Sequence, residues 1–196
     1  MRKVFIHADR CIGCRQCEFA CATEHSVSKD YFTAFLETPT PQSRIHVDPG
    51  PVPSLSYPNN CRHCNPAPCV RICPSGAMMR VAEDRVDVDP ELCIGCAMCA
   101  VVCPFDVIQF GQVSGTDVPV AIKCDLCPDR LAEGREPACV EACMVDALEF
   151  GDVNEMVERV RQTGSVQMFA LTADEEPADP LAAWRACSAA EANVTA

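Results

Sequence analysis

The sequence predicts an α+β fold: two pseudo-symmetric modules of short strands and helices, an insertion loop within the first, and a helical extension at the C-terminus. Three observations predict it. Seventeen cysteines in 196 residues fall, all but one, into four groups of four. The segments that follow three of the groups resemble one another, as a duplicated unit would. Between groups the apolar runs are short and strand-like.

In chain order, residues 2 to 8 read as a strand leading into the first group, Cys11, Cys14, Cys17 and Cys21, with Gly13 where the backbone must turn tightly. An insertion rich in Pro, Ser and Thr follows at residues 22–60. Inside it, Ser43 to Asp48 alternates like a strand and Pro49 to Pro53 reads as a turn or extended piece. A loop of that length within a compact domain is usually functional, and a partner-facing element is expected. The second group is Cys61, Cys64, Cys69 and Cys73, followed by Pro74. Met78 to Ala82 and Arg85 to Asp89 flank Glu83-Asp84 as a hairpin.

The third group is Cys93, Cys96, Cys99 and Cys103, closed by Pro104. Phe105 to Phe110 resumes strand character, and Pro119 to Lys123 is a further short apolar run. The fourth group, Cys124, Cys127, Cys139 and Cys143, has its middle spacing stretched by Pro128 to Ala138, and Ala147 to Phe150 is a strand. Asp152 is placed to cap a helix carrying Val153, Met156, Val157 and Val160 on one packing face and ended by Gly164. Ser165 to Leu171 reads as a strand. The tail is acidic, then Ala-rich, with a short peripheral helix at Leu181 to Glu191 that carries Trp184.

The repeat outweighs any single element. Val4 to Cys21 resembles Val86 to Cys103 through a shared Cys-Ile-Gly-Cys with an Asp ahead of it. Pro74-Ser75-Gly76-Ala77-Met78, Pro104-Phe105-Asp106-Val107-Ile108 and Met144-Val145-Asp146-Ala147-Leu148 are matching tails. After the first group comes Ala22-Thr23-Glu24-His25 instead, so the chain leaves that group differently.

Composition says what holds such a chain together. Hydrophobic residues are 48% of it, but that figure includes the cysteines, and one Trp, two Tyr and eight Phe make a modest core. An odd cysteine count, clustering in fours and an opening Met1-Arg2-Lys3-Val4 that resembles no secretory signal argue against a disulfide scaffold and for a cytoplasmic setting. Metal ligation remains. Zinc sites usually take two cysteines from each of two knuckles. Groups one and three instead offer three evenly spaced thiolates and a fourth further along, the spacing that holds [4Fe-4S] clusters and sends the fourth cysteine to a neighbouring cluster.

The formal net charge is −12, and four clusters with their thiolates would bring it to about −20. Such a chain repels nucleic acid and anionic membranes. No run approaches the roughly 18 apolar residues of a membrane span, so direct membrane insertion is not expected. Spacing alone does not decide which group pairs with which, because the first could exchange its fourth cysteine with any of the others.

The chain resembles the four-cluster ferredoxin-like electron-transfer subunits of molybdenum or tungsten bis-pterin oxidoreductases, and the small electron-transfer proteins of carbon monoxide dehydrogenase and hydrogenase systems. The resemblance covers roughly residues 3–151 and rests on Cys11-Ile12-Gly13-Cys14 through Cys21 with Glu24-His25-Ser26, Cys61-Arg62-His63-Cys64 with Ala67-Pro68-Cys69 and Cys73-Pro74, the third group, and Lys123-Cys124-Asp125-Leu126-Cys127 with Cys139 and Cys143.

The resemblance implies that the first group pairs with the fourth and the second with the third. Cys11, Cys14, Cys17 and Cys143 would then hold one cluster, and Cys124, Cys127, Cys139 and Cys21 its neighbour. Cys61, Cys64, Cys69 and Cys103 would hold a third, and Cys93, Cys96, Cys99 and Cys73 the fourth. The domains implied are residues 1–60 with 112–151, residues 61–111, and the extension 152–196.

Among the remaining polar residues, His25 and His63 could tune a cluster by hydrogen bonding, though a solvent-facing or space-filling role is the expectation. His7 and His46 lie in strand-like runs, Lys123 beside Cys124 could raise the potential of the neighbouring cluster though a solvated charge at a strand end is the expectation, and Cys187 is expected to be a free thiol. No Gly-rich nucleotide loop, activated nucleophile or paired carboxylates accompany the cysteines, so substrate chemistry is not expected.

The function that follows is relay of electrons between a catalytic subunit and a second redox partner such as a flavoprotein or ferredoxin, within a hetero-oligomer. The catalytic subunit would be a tungsten or molybdenum pterin enzyme oxidising an aldehyde or formate. Carbon monoxide dehydrogenase or hydrogenase, a free soluble polyferredoxin and a maturation factor are the alternatives.

Overall fold

The structure, a computed structural model, describes residues 1–50, 55–82, 85–113 and 118–173. Met1–Phe150 form one compact unit and Gly151–Ala196 a second. The elements of the first unit are β1 (Arg2–Ile6), α1 (Gln16–Glu24), β2 (Ile45–Pro49), β3 (Ser56–Asn60), α2 (Pro68–Ile72), β4 (Met78–Ala82), β5 (Arg85–Val88), α3 (Met98–Val101), β6 (Gln109–Gly111), β7 (Val120–Ile122), α4 (Pro128–Ala132), α5 (Ala138–Glu141) and β8 (Leu148–Asp152), whose last residues enter the second unit. The strands associate only in twos: β1 with β8, β2 with β3, β4 with β5 and β6 with β7. The last three pairs are antiparallel.

The helices share one register. The third cysteine of every group is the second residue of a helix: Cys17 in α1, Cys69 in α2, Cys99 in α3 and Cys139 in α5. Left-handed residues reverse the chain just before two of these starts, Arg15 (φ 60) before α1 and Ala97 (φ 60) before α3, with Gly13 (φ 71) and Gly95 (φ 68) two residues earlier in each loop. Past the fourth cysteine the matching tails also agree in backbone, since Gly76, Asp106 and Asp146 all have positive φ (73, 51 and 51). After the first group α1 simply continues to Glu24, so this exit has no such turn.

Two cores result. One gathers Val4, Cys17, Cys21, Ile45, Val47, Leu126, Cys139, Val140 and Leu148, with Cys11, Cys124 and Cys143 packed on it. The other gathers Ala67, Met78, Val86, Cys99, Ile108 and Ala121, with Cys69, Cys73, Cys93 and Cys103. In both, cysteine fills the positions that Leu and Ile fill elsewhere.

The hairpin expected around residues 83–84 forms with a register shift between Arg80 and Ala82. Other expectations change. Residues 22–60 hold a whole hairpin, not one strand: Ser56–Asn60 pairs with Ile45–Pro49, burying Pro58 opposite Val47. The run Phe105 to Phe110 is a strand only from Gln109, because the left-handed Asp106 turns the chain first.

In the second unit, Gly164 does not end the helix and Ser165 to Leu171 is not a strand, since α6 runs from Val153 to Ala173. A mid-helix Gly costs only about 1 kcal/mol. The hydroxyls of Thr163 and Ser165 bond back to the carbonyls of Arg159 and Arg161, which spares them from competing with the helix. Asp152 does cap it, accepting the N–H of Asn154 at 2.9 Å. Of the stripe expected to pack, Met156 is buried whereas Val157 and Val160 are exposed. The helix at 181–191, with Trp184 and Cys187, lies outside the described residues, as do residues 51–54 of the expected Pro-rich turn. No described helix is long and apolar enough to cross a membrane.

Candidate metal centres

Cysteines three and four of each group are four residues apart; the third lies on a helix in every group, and the fourth lies on the same helix in α1 and just past the helix end in the other three groups. Three cavities show how they are shared. One is lined by Cys61, Cys64, Cys69 and Cys103. A second is lined by Cys73, Cys93, Cys96 and Cys99. A third is lined by Cys11, Cys14, Cys17 and Cys143. Each holds three cysteines from one loop and one from another group. Of the remaining four, Cys21 and Cys139 share one core with Cys124 packed on it, and Cys127 lies on the same loop as Cys124.

The donor chemistry fits an iron-sulfur cluster in each quartet. Main-chain N–H groups are aimed at the sulfurs: Ala147 on Cys143 at 3.2 Å, Arg44 on Cys21 at 3.3 Å, and His63 on Cys61, Met78 on Cys73 and Ala121 on Cys93 at 3.4 Å. Such donors favour thiolate over thiol. Burial opposes them, pushing Cys17 and Cys127 up to about 12 and Cys99 up to about 11. A cationic iron core relieves that penalty. All sixteen cysteines of the four groups are free, so no disulfide competes.

The quartet of Cys21, Cys124, Cys127 and Cys139 is backed by a charged network. The carboxylate of Asp125, between two of the cysteines, accepts from Nε2 of His25 at 3.1 Å, from Nη1 of Arg44 at 2.5 Å and from the N–H of Cys127 at 2.9 Å. Burial raises the pKa of Asp125, but the hydrogen bond and charge of His25, with Arg44 behind them, hold it well below the usual carboxylate range. His25 is raised to about 10 against its own burial by Asp125 and then Cys21. Its Nδ1 donates to the carbonyl of Cys21 at 2.7 Å and lies 3.7 Å from that cysteine's sulfur. His25, Asp125 and Cys127 also have metal-ligand spacing among themselves, which places them at the edge of this same quartet.

Neither His63 nor Lys123 faces solvent: His63 is 1% exposed and Lys123 2%. That corrects the solvated reading of Lys123 and leaves His63 its space-filling and tuning roles. Nδ1 of His63 lies 3.0 Å from the N–H of Val86 and 3.1 Å from its carbonyl oxygen, and its Nε2 is buried without a hydrogen-bond partner in a residue that lines the cavity of Cys61, Cys64, Cys69 and Cys103. A buried, orphaned ring nitrogen beside four thiols is what a cavity made for sulfur would leave. Sequence reasoning underrates both residues because their partners lie on β5.

Comparison with known proteins agrees with the chemistry. A family model described as a 4Fe-4S dicluster domain matches residues 52–153, and a second of the same description matches residues 10–78. This protein belongs to the 4Fe-4S dicluster domain family. The dicluster protein is 36% identical over 158 residues to the B subunit of the anaerobic dimethyl sulfoxide reductase of Escherichia coli (strain K12), covering 78% of its own length and 74% of that relative.

It is 37% identical over 169 residues to the thiosulfate reductase electron transfer subunit PhsB of Salmonella typhi, covering 85% and 83%. An iron-sulfur protein of Rhodospirillum rubrum is 38% identical over 159 residues, covering 77% and 82%. Two dicluster domains carry four [4Fe-4S] clusters, and the dicluster protein is a ferredoxin-like electron-transfer protein.

Proposed function

We propose that the chain is the electron-transfer subunit of a molybdenum- or tungsten-pterin oxidoreductase, joining its catalytic subunit to a second redox partner such as a flavoprotein or ferredoxin in a hetero-oligomer. The observation that carries this reading is the set of four cysteine quartets. A bound [4Fe-4S] cluster supplies a one-electron centre. The chain's own residues supply the thiolates, the N–H groups on sulfur and the burial that set each potential.

Each quartet is assigned one cluster, with Cys21, Cys73, Cys103 and Cys143 each serving the cluster of another group. The relatives named above include two reductase components. They favour a partner that reduces a small oxidised sulfur compound over one that oxidises aldehyde or formate, or over carbon monoxide dehydrogenase and hydrogenase. A cytoplasmic setting, where thiols are kept reduced for ligation, is part of the proposal.

Two modules are proposed, residues 1–60 with the fourth group, and residues 61–111. β7 goes with the latter, since it pairs with β6 and sends Ala121 into the same core. The insertion is assigned to partner docking. Its Val27, Phe32 and Leu36 are exposed, and the rings of Phe35 and Tyr31 pack at a tilt against Phe19 of α1.

Anaerobic purification from native extract tests the reading. About sixteen irons per chain are expected, together with a co-migrating pterin enzyme. Zinc in place of iron would end the cluster assignment, and a lone 21.2 kDa species would make the protein a mobile carrier.

A further inference from the structure

Lys123 is the residue at which the chain crosses from one core to the other. The strand before it, β7, packs Ala121 among Met78, Val86 and Cys99, and the residue after it, Cys124, packs among Cys21, Leu126 and Cys139. Its ammonium donates to the carbonyl of Cys124 at 2.8 Å and to the carbonyl of Val86. It is almost wholly buried, yet no carboxylate pairs with it among the described residues, and the acid two positions on, Asp125, is already engaged by His25 and Arg44.

A buried ammonium without an anion is costly. The anionic charge available to it is that of the thiolate quartets on either side. Burial and Cys61 raise the thiol of Cys69, and Lys123 acts on it in the opposite direction.

Val86 completes the link. The residue whose carbonyl takes Lys123 gives its N–H to Nδ1 of His63. The carbonyl of Val86 lies 3.1 Å from the same Nδ1 but already takes Lys123, so the imidazole proton is assigned to Nε2, the atom without a partner, in a residue that lines the cavity of Cys61, Cys64, Cys69 and Cys103. A second ammonium, that of Lys3, donates to the carbonyl of His63 at 3.1 Å.

We infer that Lys123 and His63 set the potentials of the two clusters that meet at the junction of the modules. Lys123 supplies positive charge to both the Cys61, Cys64, Cys69, Cys103 site and the Cys21, Cys124, Cys127, Cys139 site. His63 donates its Nε2–H to sulfur at the first of these alone. Both residues make the electron-bearing state of the clusters they face easier to reach. The inference rests on the assignment of one cluster to each quartet.

The test is potentiometric titration of the full chain with its clusters, followed by electron paramagnetic resonance, in Lys123→Met, Lys123→Gln, Lys123→Arg and His63→Phe. Iron content is measured on every sample, so that failure of the cluster assignment in the unaltered protein is seen separately. Loss of the charge in Lys123→Met or Lys123→Gln is expected to lower two of the four midpoints. At fixed potential the reduced-to-oxidised ratio of each should fall at least tenfold, equivalent to about 59 mV for one electron.

Lys123→Arg should restore both, and His63→Phe should move only one of the same two. Four unchanged midpoints at full iron content would overturn the inference, as would shifts in the other two clusters. If the neutral variants take up no iron, uptake by Lys123→Arg would show that the charge itself is required; failure of the Arg variant as well would make Lys123 a structural residue and sink the proposal.

Discussion

Replacing Asp125 by Asn removes one charge and almost no volume, and the structure says what that charge balances. The carboxylate faces His25 at 3.1 Å and Arg44 at 2.5 Å, with side-chain exposures of 12% for Asp125, 11% for His25 and 26% for Arg44. Removing one partner of a buried pair typically costs about 3–5 kcal/mol, because the other charge stays buried and unpaired. Arg44 is partly wetted and can relax toward water, so the lower end, about 3 kcal/mol, is the better figure. An Asn oxygen can keep the bond from the N–H of Cys127, so the loop conformation is retained and the loss is electrostatic.

At about 1.4 kcal/mol per factor of ten, opening of the loop that carries Cys124 and Cys127 becomes on the order of a hundredfold easier. Iron loss to a strong chelator, followed by decay of the visible cluster absorption under anaerobic conditions, reads this directly. One of the four clusters should leave about a hundredfold faster, and the other three at the unaltered rate. The double variant with His25→Gln should be less damaged than the two single effects combined, since each removes what the other leaves unpaired. A change of less than threefold, or equal acceleration of all four clusters, would refute the reasoning.

Cys103→Ser should alter the same spectroscopic signal as Cys61→Ser and leave untouched the one altered by Cys93→Ser; coincidence with Cys93→Ser would break the crossed pairing. Gly95→Ala puts a Cβ 2.8 Å from the carbonyl oxygen of Pro119 at φ +68. Left-handed backbone alone costs roughly 1–2 kcal/mol there, so faster chelator loss confined to the cluster of Cys93, Cys96 and Cys99 is expected. Gly76→Ala shares a positive φ, +73, but meets nothing within 4 Å, and should do less damage, as matched decay curves would show. Phe32→Asp with Leu36→Asp, both 84% exposed before substitution, should leave iron content intact and weaken retention of the catalytic partner at least tenfold on affinity capture.

How much of this is legible in the sequence depends on range. A hairpin such as Met78–Ala82 with Arg85–Val88 is specified by alternation a few residues apart, and the pattern alone finds it. Ser56–Asn60 escapes, because Tyr57-Pro58-Asn59-Asn60 has neither alternation nor β propensity of its own. Pairing with Ile45–Pro49 and burial of Pro58 make it a strand. Gly164 misleads in the other direction, since a residue that stops a helix through positive φ can equally sit in a long one at small cost. A sequence shows the option and not the choice.

The metal centres divide along the same line. Three cysteines of each quartet come from one loop or one group, so their spacing carries the signal, and only the fourth needs knowledge from outside the spacing. The charges around the quartets carry no such signal. His25 meets Asp125 a hundred positions away, and Lys123 meets Val86 across 37. Each sits next to a cysteine or a cysteine loop, where a reader has no means to distinguish a solvated charge from a buried one.

The ligands can be recognised because chelation demands short loops, whereas tuning demands only proximity in space. Two proteins with identical cysteine spacing can therefore run at different potentials, and the residues that separate them are those facing sulfur from another element. In this protein those are Arg44, His63 and Lys123. Exchanging them should change how strongly each centre holds an electron without changing how many irons are bound.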